Sequence, residues 1–179
     1  RGIEGKIMAA RHARENLVPF LGVCLGFQIA TIEAARNVAG LEGAHSTEFD
    51  PDTCDPVVDL LPEQRDVKRK GATMRLGGQP VVVSEGSKAH ELYGRTLIIE
   101  RHRHRYEVNP KYIEQLEQKG WRFTGRSPDG LRMEIGEMQG HPFYVASQFH
   151  PEFKSRPERP SPLHLGLVRA AVERKFKTC

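Results

Sequence analysis

Apolar positions change from helical to extended spacing within the first forty residues. Ile3, Ile7 and Ala10 recur at helical intervals with polar residues between them. A continuous apolar run follows, and a second helical pattern comes directly after it, with Gly40 as a natural C-terminal cap. The predicted elements are a helix over about 3–15, a strand over 17–23 and a helix over 25–39. The chain therefore opens with the alternation of an α/β protein.

The later part of the chain favours strands. Residues 43–79, which include the basic cluster Lys68-Arg69-Lys70, contain many turn formers and predict mostly loop with one or two short strands. The strands predicted after this segment are 80–84, 96–100, 101–108, 121–126, 133–138 and 143–149. One helix is predicted over 109–119. A second, closing helix is predicted because Leu165, Val168, Val172 and Phe176 recur at helical spacing. Strands clustered after early helix–strand alternation indicate an α/β domain with a mixed sheet.

Composition places the chain among ordinary globular domains. Its 179 residues are 38% hydrophobic and 28% charged, which suffices for one domain with a buried core. No apolar run approaches a membrane span, and no secretory signal is visible. Three cysteines argue against a disulfide framework, so we expect a reducing, cytoplasmic setting. The net charge of +4 does not by itself indicate a nucleic-acid partner.

The junction between the first predicted strand and the second helix carries the first candidate for chemistry. It reads Gly22-Val23-Cys24-Leu25-Gly26, the form of a nucleophile elbow that holds one residue in a tight strand-to-helix turn. The glycines let backbone and helix approach closely. A helix N-terminus favours the thiolate of a cysteine, which is the nucleophile. Taken alone, however, a cysteine after an apolar strand is more often a small core residue.

A second candidate lies at the end of the strand predicted over 143–149. His150 follows that strand directly, and Pro151 would stop it. In extended backbone, residues two apart point to the same side, so Glu152 can orient the His150 ring. A surface His-Pro-Glu turn is the ordinary alternative. Because Cys24 also stands at a strand end, the two features together predict a cysteine triad of Cys24, His150 and Glu152.

Other patterns support weaker hypotheses. His102 and His104 alternate along a strand, but no third ligand is suitably spaced for a metal site. The surrounding Arg-His-Arg-His-Arg run lacks interleaved aromatic residues, so it is weak evidence for RNA binding. The sequence therefore predicts no metal and no nucleic acid.

Several segments together resemble a known enzyme family. The elbow with Phe149-His150-Pro151-Glu152 resembles the class I glutamine amidotransferases. Three further segments resemble the glutaminase domains of CTP synthases within that family, and they are Ser46-Thr47-Glu48-Phe49-Asp50-Pro51, Thr73-Met74-Arg75-Leu76-Gly77 and the run from Arg101 to Asn109. The resemblance covers nearly all of the chain. It implies an open, mainly parallel, flavodoxin-like sheet with helices on both faces.

The resemblance also implies residue roles. Cys24 would attack the side-chain amide carbon of L-glutamine, His150 would protonate the departing ammonia, and Glu152 would orient His150. The Leu25 amide would donate to the oxyanion, with Gly26 beside it. A second oxyanion donor comes, in the family, from a Pro-Gly-Gly loop upstream of Arg1-Gly2. We therefore expect residues 1–179 to be an amidotransferase domain truncated on its N-terminal side.

Glutamine recognition in the family maps onto Gln28, Glu48 and Arg105. A carboxylate suits the substrate ammonium, a guanidinium suits its carboxylate, and an amide suits either. Without the resemblance, each residue could be an ordinary solvated side chain.

The resemblance implies a larger enzyme as well. A synthetase domain of the same polypeptide, absent here, would use ATP and Mg²⁺ to aminate UTP, and GTP would activate the glutaminase step, with Arg1 next to a mobile lid. The family suggests a homotetramer. Another cysteine amidotransferase, a γ-glutamyl hydrolase and a catalytically inert domain remain alternatives.

Overall fold

The computed structural model describes residues 2–61 and 74–177. The α-helices are α1 (Ile3–Glu15), α2 (Leu25–Asn37), α3 (Lys88–Tyr93), α4 (Ile113–Gln118) and α5 (Pro162–Lys177), with 3-10 turns at Pro110–Tyr112 and Pro151–Lys154. The strands are β1 (Phe20–Val23), β2 (Ala44–Ser46), β3 (Asp55–Asp59), β4 (Arg75–Val83), β5 (Leu97–His104), β6 (Glu107–Val108), β7 (Trp121–Arg126), β8 (Met133–Met138) and β9 (Tyr144–Ser147). The expectations for Arg1 and for the Lys68-Arg69-Lys70 loop fall outside the described residues.

The strands form two sheets. A six-stranded sheet has the order β1-β9-β8-β7-β4-β5, and a three-stranded sheet has the order β2-β3-β6. Strand β1 is parallel to β9, and β2 is parallel to β3. The predicted α/β class with a mixed sheet is confirmed.

The expectation of a mainly parallel sheet does not hold for the described strands. The pairs β3–β6, β4–β5, β4–β7, β7–β8 and β8–β9 are all antiparallel. Short turns connect β7 to β8 and β8 to β9, and such turns permit only antiparallel pairing, whereas parallel neighbours need a long crossover. The strands β1 and β9 meet this condition because most of the chain lies between them.

Helices cover both faces of the large sheet. Tyr144 and Ala146 of β9 pack in one apolar cluster with residues of α1 and α2, whereas Val145 packs in a second cluster with residues of α3 and α5. Alternate residues of one strand thus serve two cores, as the period of a strand requires. None of the helices in the described ranges is long and apolar enough to cross a membrane.

The apolar residues that predicted the closing helix α5 do not form its buried face. Val168, Val172 and Phe176 are exposed. The buried side includes Leu163 and Gly166, where an added Cβ would lie 2.8 Å from atoms of Leu92 and Phe143. The helix packs closely against Leu92 and Phe143 at Gly166, a small residue, and not through a large apolar side chain.

Strand β1 and helix α2 approach each other at two glycines. A Cβ on Gly22 would lie 2.6 Å from the carbonyl oxygen of Gly26, too close for any side chain. By contrast, a Cβ on Gly26 would meet nothing within 4 Å. The close approach predicted from the two glycines therefore depends on Gly22, with the Gly26 backbone as the surface that it contacts.

A buried ion pair joins α1 to α2. The Arg14 guanidinium lies 2.8 Å from the Glu33 carboxylate, whose side chain is fully buried. The Arg14 pKa is raised, chiefly by the hydrogen bond to Glu33 and against the effect of burial. A charge in this position depends on its partner, because removing one member of a buried pair leaves the other charge uncompensated.

We expect Arg14→Met to lower the free energy of unfolding by about 3–5 kcal/mol, because Glu33 would remain buried without its cation. Urea denaturation measures the change. The matched control is Arg11→Met, which removes an exposed pair with Glu15 and should change stability by less than about 1 kcal/mol. Equal effects of the two variants would contradict this interpretation.

We expect Gly22→Ala to destabilise the fold by about 1–3 kcal/mol, because β1 and α2 must move apart to admit the methyl group. Gly5→Ala is the control: it lies within α1, its Cβ would meet nothing within 4 Å, and it should stabilise by about 0.5–1 kcal/mol. Thermal or urea unfolding of both variants decides. A Gly22→Ala protein as stable as the parent would show that the strand–helix contact tolerates a side chain.

Candidate active site

Cys24 lies in a strained turn between β1 and α2. Its φ of 54° and ψ of −103° belong to a region that residues other than glycine rarely adopt. The Cys24 backbone N–H donates to the carbonyl of Ser147 at 2.7 Å, which fixes the turn to the end of β9. The predicted elbow at Cys24 is therefore present.

The two strand ends that carry the candidate residues are neighbours. Strand β1 pairs in parallel with β9, with Val23 opposite Ser147. Parallel strands end at the same edge of a sheet, so Cys24 and the 148–150 segment emerge side by side. The sequence placed both candidates at strand ends but did not show that these strands pair.

His150 is held by a carboxylate and by a strand. Its Nδ1 lies 2.7 Å from Oε1 of Glu152, the contact predicted from their spacing. Its backbone N–H donates to the carbonyl of Arg101 in β5 at 2.8 Å. With Nδ1 bound to Glu152, Nε2 is left for chemistry, as a base that acts on a thiol requires.

Strand β5 also contacts the cysteine. The carbonyl of Arg103, two residues beyond Arg101, accepts the Cys24 thiol at 3.8 Å. Two backbone carbonyl groups of β5, those of Arg101 and Arg103, thus contact His150 and Cys24.

The electrostatic environment of Cys24 opposes its ionisation. Burial is the largest cause of a raised thiol pKa, and the carboxylates of Glu152, Glu48 and Glu107 raise it further. The Leu25 backbone N–H, which is hydrogen-bonded to the thiol, acts in the opposite direction. The amide at the helix N-terminus thus favours the thiolate as expected, but desolvation outweighs it and the thiol pKa is raised.

The predicted glutamine-binding residues lie in different settings. Gln28 is buried, and its amide nitrogen donates to the Tyr106 carbonyl at 3.1 Å. Glu48 is half-buried, and burial raises its pKa while the Arg105 charge lowers it. Arg105 has a buried Nε with no hydrogen-bond partner. Glu48 therefore lies within electrostatic range of both Arg105 and the Cys24 thiol.

Gln148 is a polar contact of the thiol that the sequence analysis did not identify. Its side chain is fully buried, and its amide nitrogen lies 4.0 Å from Sγ of Cys24. The available signal was a polar residue at the end of an apolar strand, two positions before His150 and so on the same side of extended backbone.

His102 and His104 lie on the buried side of β5, each paired with a carboxylate. Nε2 of His102 lies 2.8 Å from Glu134, and Nε2 of His104 lies 2.8 Å from Glu107. Arg75 contacts both of these carboxylates, at 2.5 Å for Glu134 and 3.4 Å for Glu107. Within the described part of the chain, no three His, Cys, Asp or Glu residues are grouped as a metal site.

Comparison with known proteins agrees with this geometry. CTP synthase of Methanopyrus kandleri is 66% identical over 173 residues, covering 96% of this chain and 32% of the relative. CTP synthase of Bacillus subtilis is 58% identical over 173 residues, covering 97% of this chain and 32% of that protein. The chain thus spans about a third of the length of these relatives.

Solved structures show the same fold. The glutaminase domain of Trypanosoma brucei CTPS, solved with bound acivicin, matches with a TM-score of 0.91 and 39% identity, covering 97% of this chain and 67% of that one. A glutamine amidotransferase of Thermotoga maritima matches with a TM-score of 0.51 at 13% identity, covering 96% and 68%, which supports the fold alone. The family profile described as glutamine amidotransferase class-I matches residues 1–170. The chain therefore belongs to the class I glutamine amidotransferase family.

Proposed function

We propose that this chain hydrolyses the side-chain amide of L-glutamine at Cys24 and serves as the glutaminase unit of a CTP-forming enzyme. The observation that carries the proposal is the strained elbow at Cys24 beside the His150–Glu152 pair, at the ends of two adjacent parallel strands. The 58–66% identity to CTP synthases directs the proposal to that branch of the family.

In the first half of the reaction, Sγ of Cys24 attacks the amide carbon of glutamine and its proton passes to Nε2 of His150. Burial and nearby carboxylates raise the thiol pKa, so His150 is needed as the base that accepts the proton when the nucleophile forms. The Leu25 N–H donates to the developing oxyanion. The C–N bond then breaks, His150 returns the proton to the departing ammonia, and a γ-glutamyl thioester remains.

In the second half, water attacks the thioester carbon and gives a proton to His150. The C–S bond breaks, and glutamate leaves as the thiol recovers its proton. Glu152 holds the His150 ring through Nδ1 in both halves, which keeps the reactive nitrogen directed away from the carboxylate.

Substrate selection is assigned to Glu48, Arg105, Gln28 and Gly26. Arg105 supplies a guanidinium with a buried, unpartnered Nε for the substrate carboxylate, and Glu48 supplies an acceptor for its ammonium. Gln28 holds the Tyr106 carbonyl and so fixes the backbone next to Arg105. Gly26 leaves open space where a side chain would stand, two residues after Cys24.

The ammonia is proposed to pass to a synthetase domain of the same polypeptide, which accounts for the larger size of the relatives. That domain would use ATP and Mg²⁺ to activate UTP and would release CTP, with GTP as activator of the glutaminase step. The complete enzyme is proposed to be a cytoplasmic homotetramer. A γ-glutamyl hydrolase would instead prefer γ-glutamyl peptides over free glutamine, so their relative turnover distinguishes the two functions.

The glutamine-mimicking electrophile diazo-oxo-norleucine tests the site directly. We expect a single covalent adduct in intact mass that is absent in Cys24→Ser and is suppressed by excess glutamine, because the electrophile must occupy the glutamine pocket to meet the thiol. Cys54→Ser is the matched control, since Cys54 is exposed and lies outside the site. If the full-length enzyme formed no adduct at Cys24, the amidotransferase proposal would be wrong.

Arg105→Met tests recognition of the substrate carboxylate. We expect KM for glutamine to rise about 10- to 100-fold with a smaller change in kcat, because a charge-assisted hydrogen bond to the ground-state substrate is lost. Arg122→Met, which changes an exposed arginine on β7, should leave both constants unchanged. A fall in kcat with KM unchanged would remove Arg105 from the binding role.

A further inference from the structure

Gln148 occupies a position that packing alone does not explain. It is an uncharged polar residue with no exposed surface, directly after β9 and before Phe149. Its backbone N–H donates to the Glu134 carbonyl at 2.9 Å, which fixes the residue to β8. A buried amide side chain requires hydrogen-bond partners, and one of its contacts is the sulfur of Cys24 at 4.0 Å.

The orientation of the Gln148 amide is determined by its other neighbour. Nε2 of Gln28 donates to the Tyr106 carbonyl at 3.1 Å and to Oε1 of Gln148 at 3.4 Å. The Tyr106 carbonyl can only accept, so it requires the nitrogen of Gln28 on that side. That nitrogen in turn requires the oxygen of Gln148. The Gln148 N–H groups are therefore directed to Cys24, so that on this side the sulfur faces a donor.

The charges around the thiol explain why a hydrogen-bond donor such as the Gln148 amide would be useful there. The carboxylates of Glu152, Glu48 and Glu107 act against a negative charge on Sγ, as does burial. The backbone N–H of Leu25 favours that charge. However, the proposed reaction also directs the Leu25 N–H to the substrate oxygen as charge moves between sulfur and oxygen, so a second donor is needed to stabilise the charge that is still on the sulfur in that transition state.

We propose that Gln148 is a further catalytic residue, whose side-chain amide donates a hydrogen bond to the Cys24 sulfur and stabilises its anionic form. The inference rests on the proposed function, in which Sγ is the nucleophile. The sulfur is anionic when its proton has passed to His150, and again when the thioester C–S bond breaks. A hydrogen bond to a charged acceptor is shorter and stronger than one to a neutral acceptor, so the 4.0 Å contact shortens as charge develops.

The Gln28–Gln148 pair also connects substrate recognition to the nucleophile. Gln28 holds the carbonyl of Tyr106, the residue after Arg105, and the oxygen of Gln148 with the same nitrogen. A displacement of the 105–106 backbone therefore changes the support of the donor that faces the sulfur.

The test is the pH profile of Cys24 alkylation by iodoacetamide in the full-length enzyme without glutamine. The rate is followed between about pH 6 and pH 10 by mass spectrometry of the peptide that contains Cys24. Two variants are compared with the parent protein. Gln148→Met removes the donor without adding charge, and Gln148→Glu keeps an acceptor for Gln28 but places an oxygen towards the sulfur. Gln139→Met, in the exposed turn before β9, is the matched control.

We expect the midpoint of the profile to rise by about one pH unit or more in Gln148→Met and further in Gln148→Glu, with no change in Gln139→Met. For glutamine, kcat should fall at least about tenfold with little change in KM. Loss of packing alone would lower the melting temperature without moving the midpoint in a protein that remains folded.

A midpoint equal to that of the parent protein in folded Gln148→Met overturns the proposal. If that variant does not fold, Gln148→Glu decides, and an unchanged midpoint there also overturns it. The alkylation profile needs no turnover. A parent enzyme that fails to hydrolyse glutamine would therefore disprove the proposed function while the effect of Gln148 on the thiol is still measured.

Discussion

The parallel pairing of β1 with β9 is the constraint on which the rest of the site depends. It brings together segments that lie at opposite ends of the described sequence, and the Cys24 N–H to Ser147 carbonyl bond completes the register. The elbow, the His150–Glu152 pair and Gln148 all follow directly from these two strand ends. A shift of one residue in this register would turn every side chain of β9 to the opposite face and displace His150, the proposed base, from the thiol.

Strand β5 is a second constraint, because its backbone contacts both His150 and Cys24. Its carbonyl groups at Arg101 and Arg103 contact His150 and Cys24, while the side chains between and beyond them, His102 and His104, are buried against carboxylates. Buried charges are costly unless they are paired, and Arg75 supplies the positive charge that both carboxylates share. The Arg-His alternation in the sequence of this strand therefore corresponds to two faces, with the arginines on the exposed side and the histidines buried.

The sequence predicted the features that are local and missed those that depend on contacts between distant segments. The elbow at Cys24, the Glu152 contact with His150 and most helix and strand positions follow from spacing within a few residues. The raised thiol pKa, the Glu134 partner of His102 and the Gln148 contact arise from residues far apart in sequence, which no periodicity reveals. The predominance of antiparallel pairs was hidden because a buried strand has the same apolar pattern in either direction.

A thiol with a raised pKa suits a hydrolase that should act only on its own substrate. A free thiolate would react with many electrophiles, whereas burial and nearby carboxylates disfavour the Cys24 thiolate unless a base and donors act on it together. The arrangement keeps Glu48 close enough to disfavour the thiolate, and the same carboxylate is the acceptor proposed for the substrate ammonium. Binding a cation at Glu48 would cancel its effect on the sulfur, because opposite charges nearby offset each other. Under the proposed function, occupation of the ammonium position would lower the cost of forming the nucleophile, and recognition of the amino-acid end of glutamine would be coupled to activation at the sulfur through electrostatics.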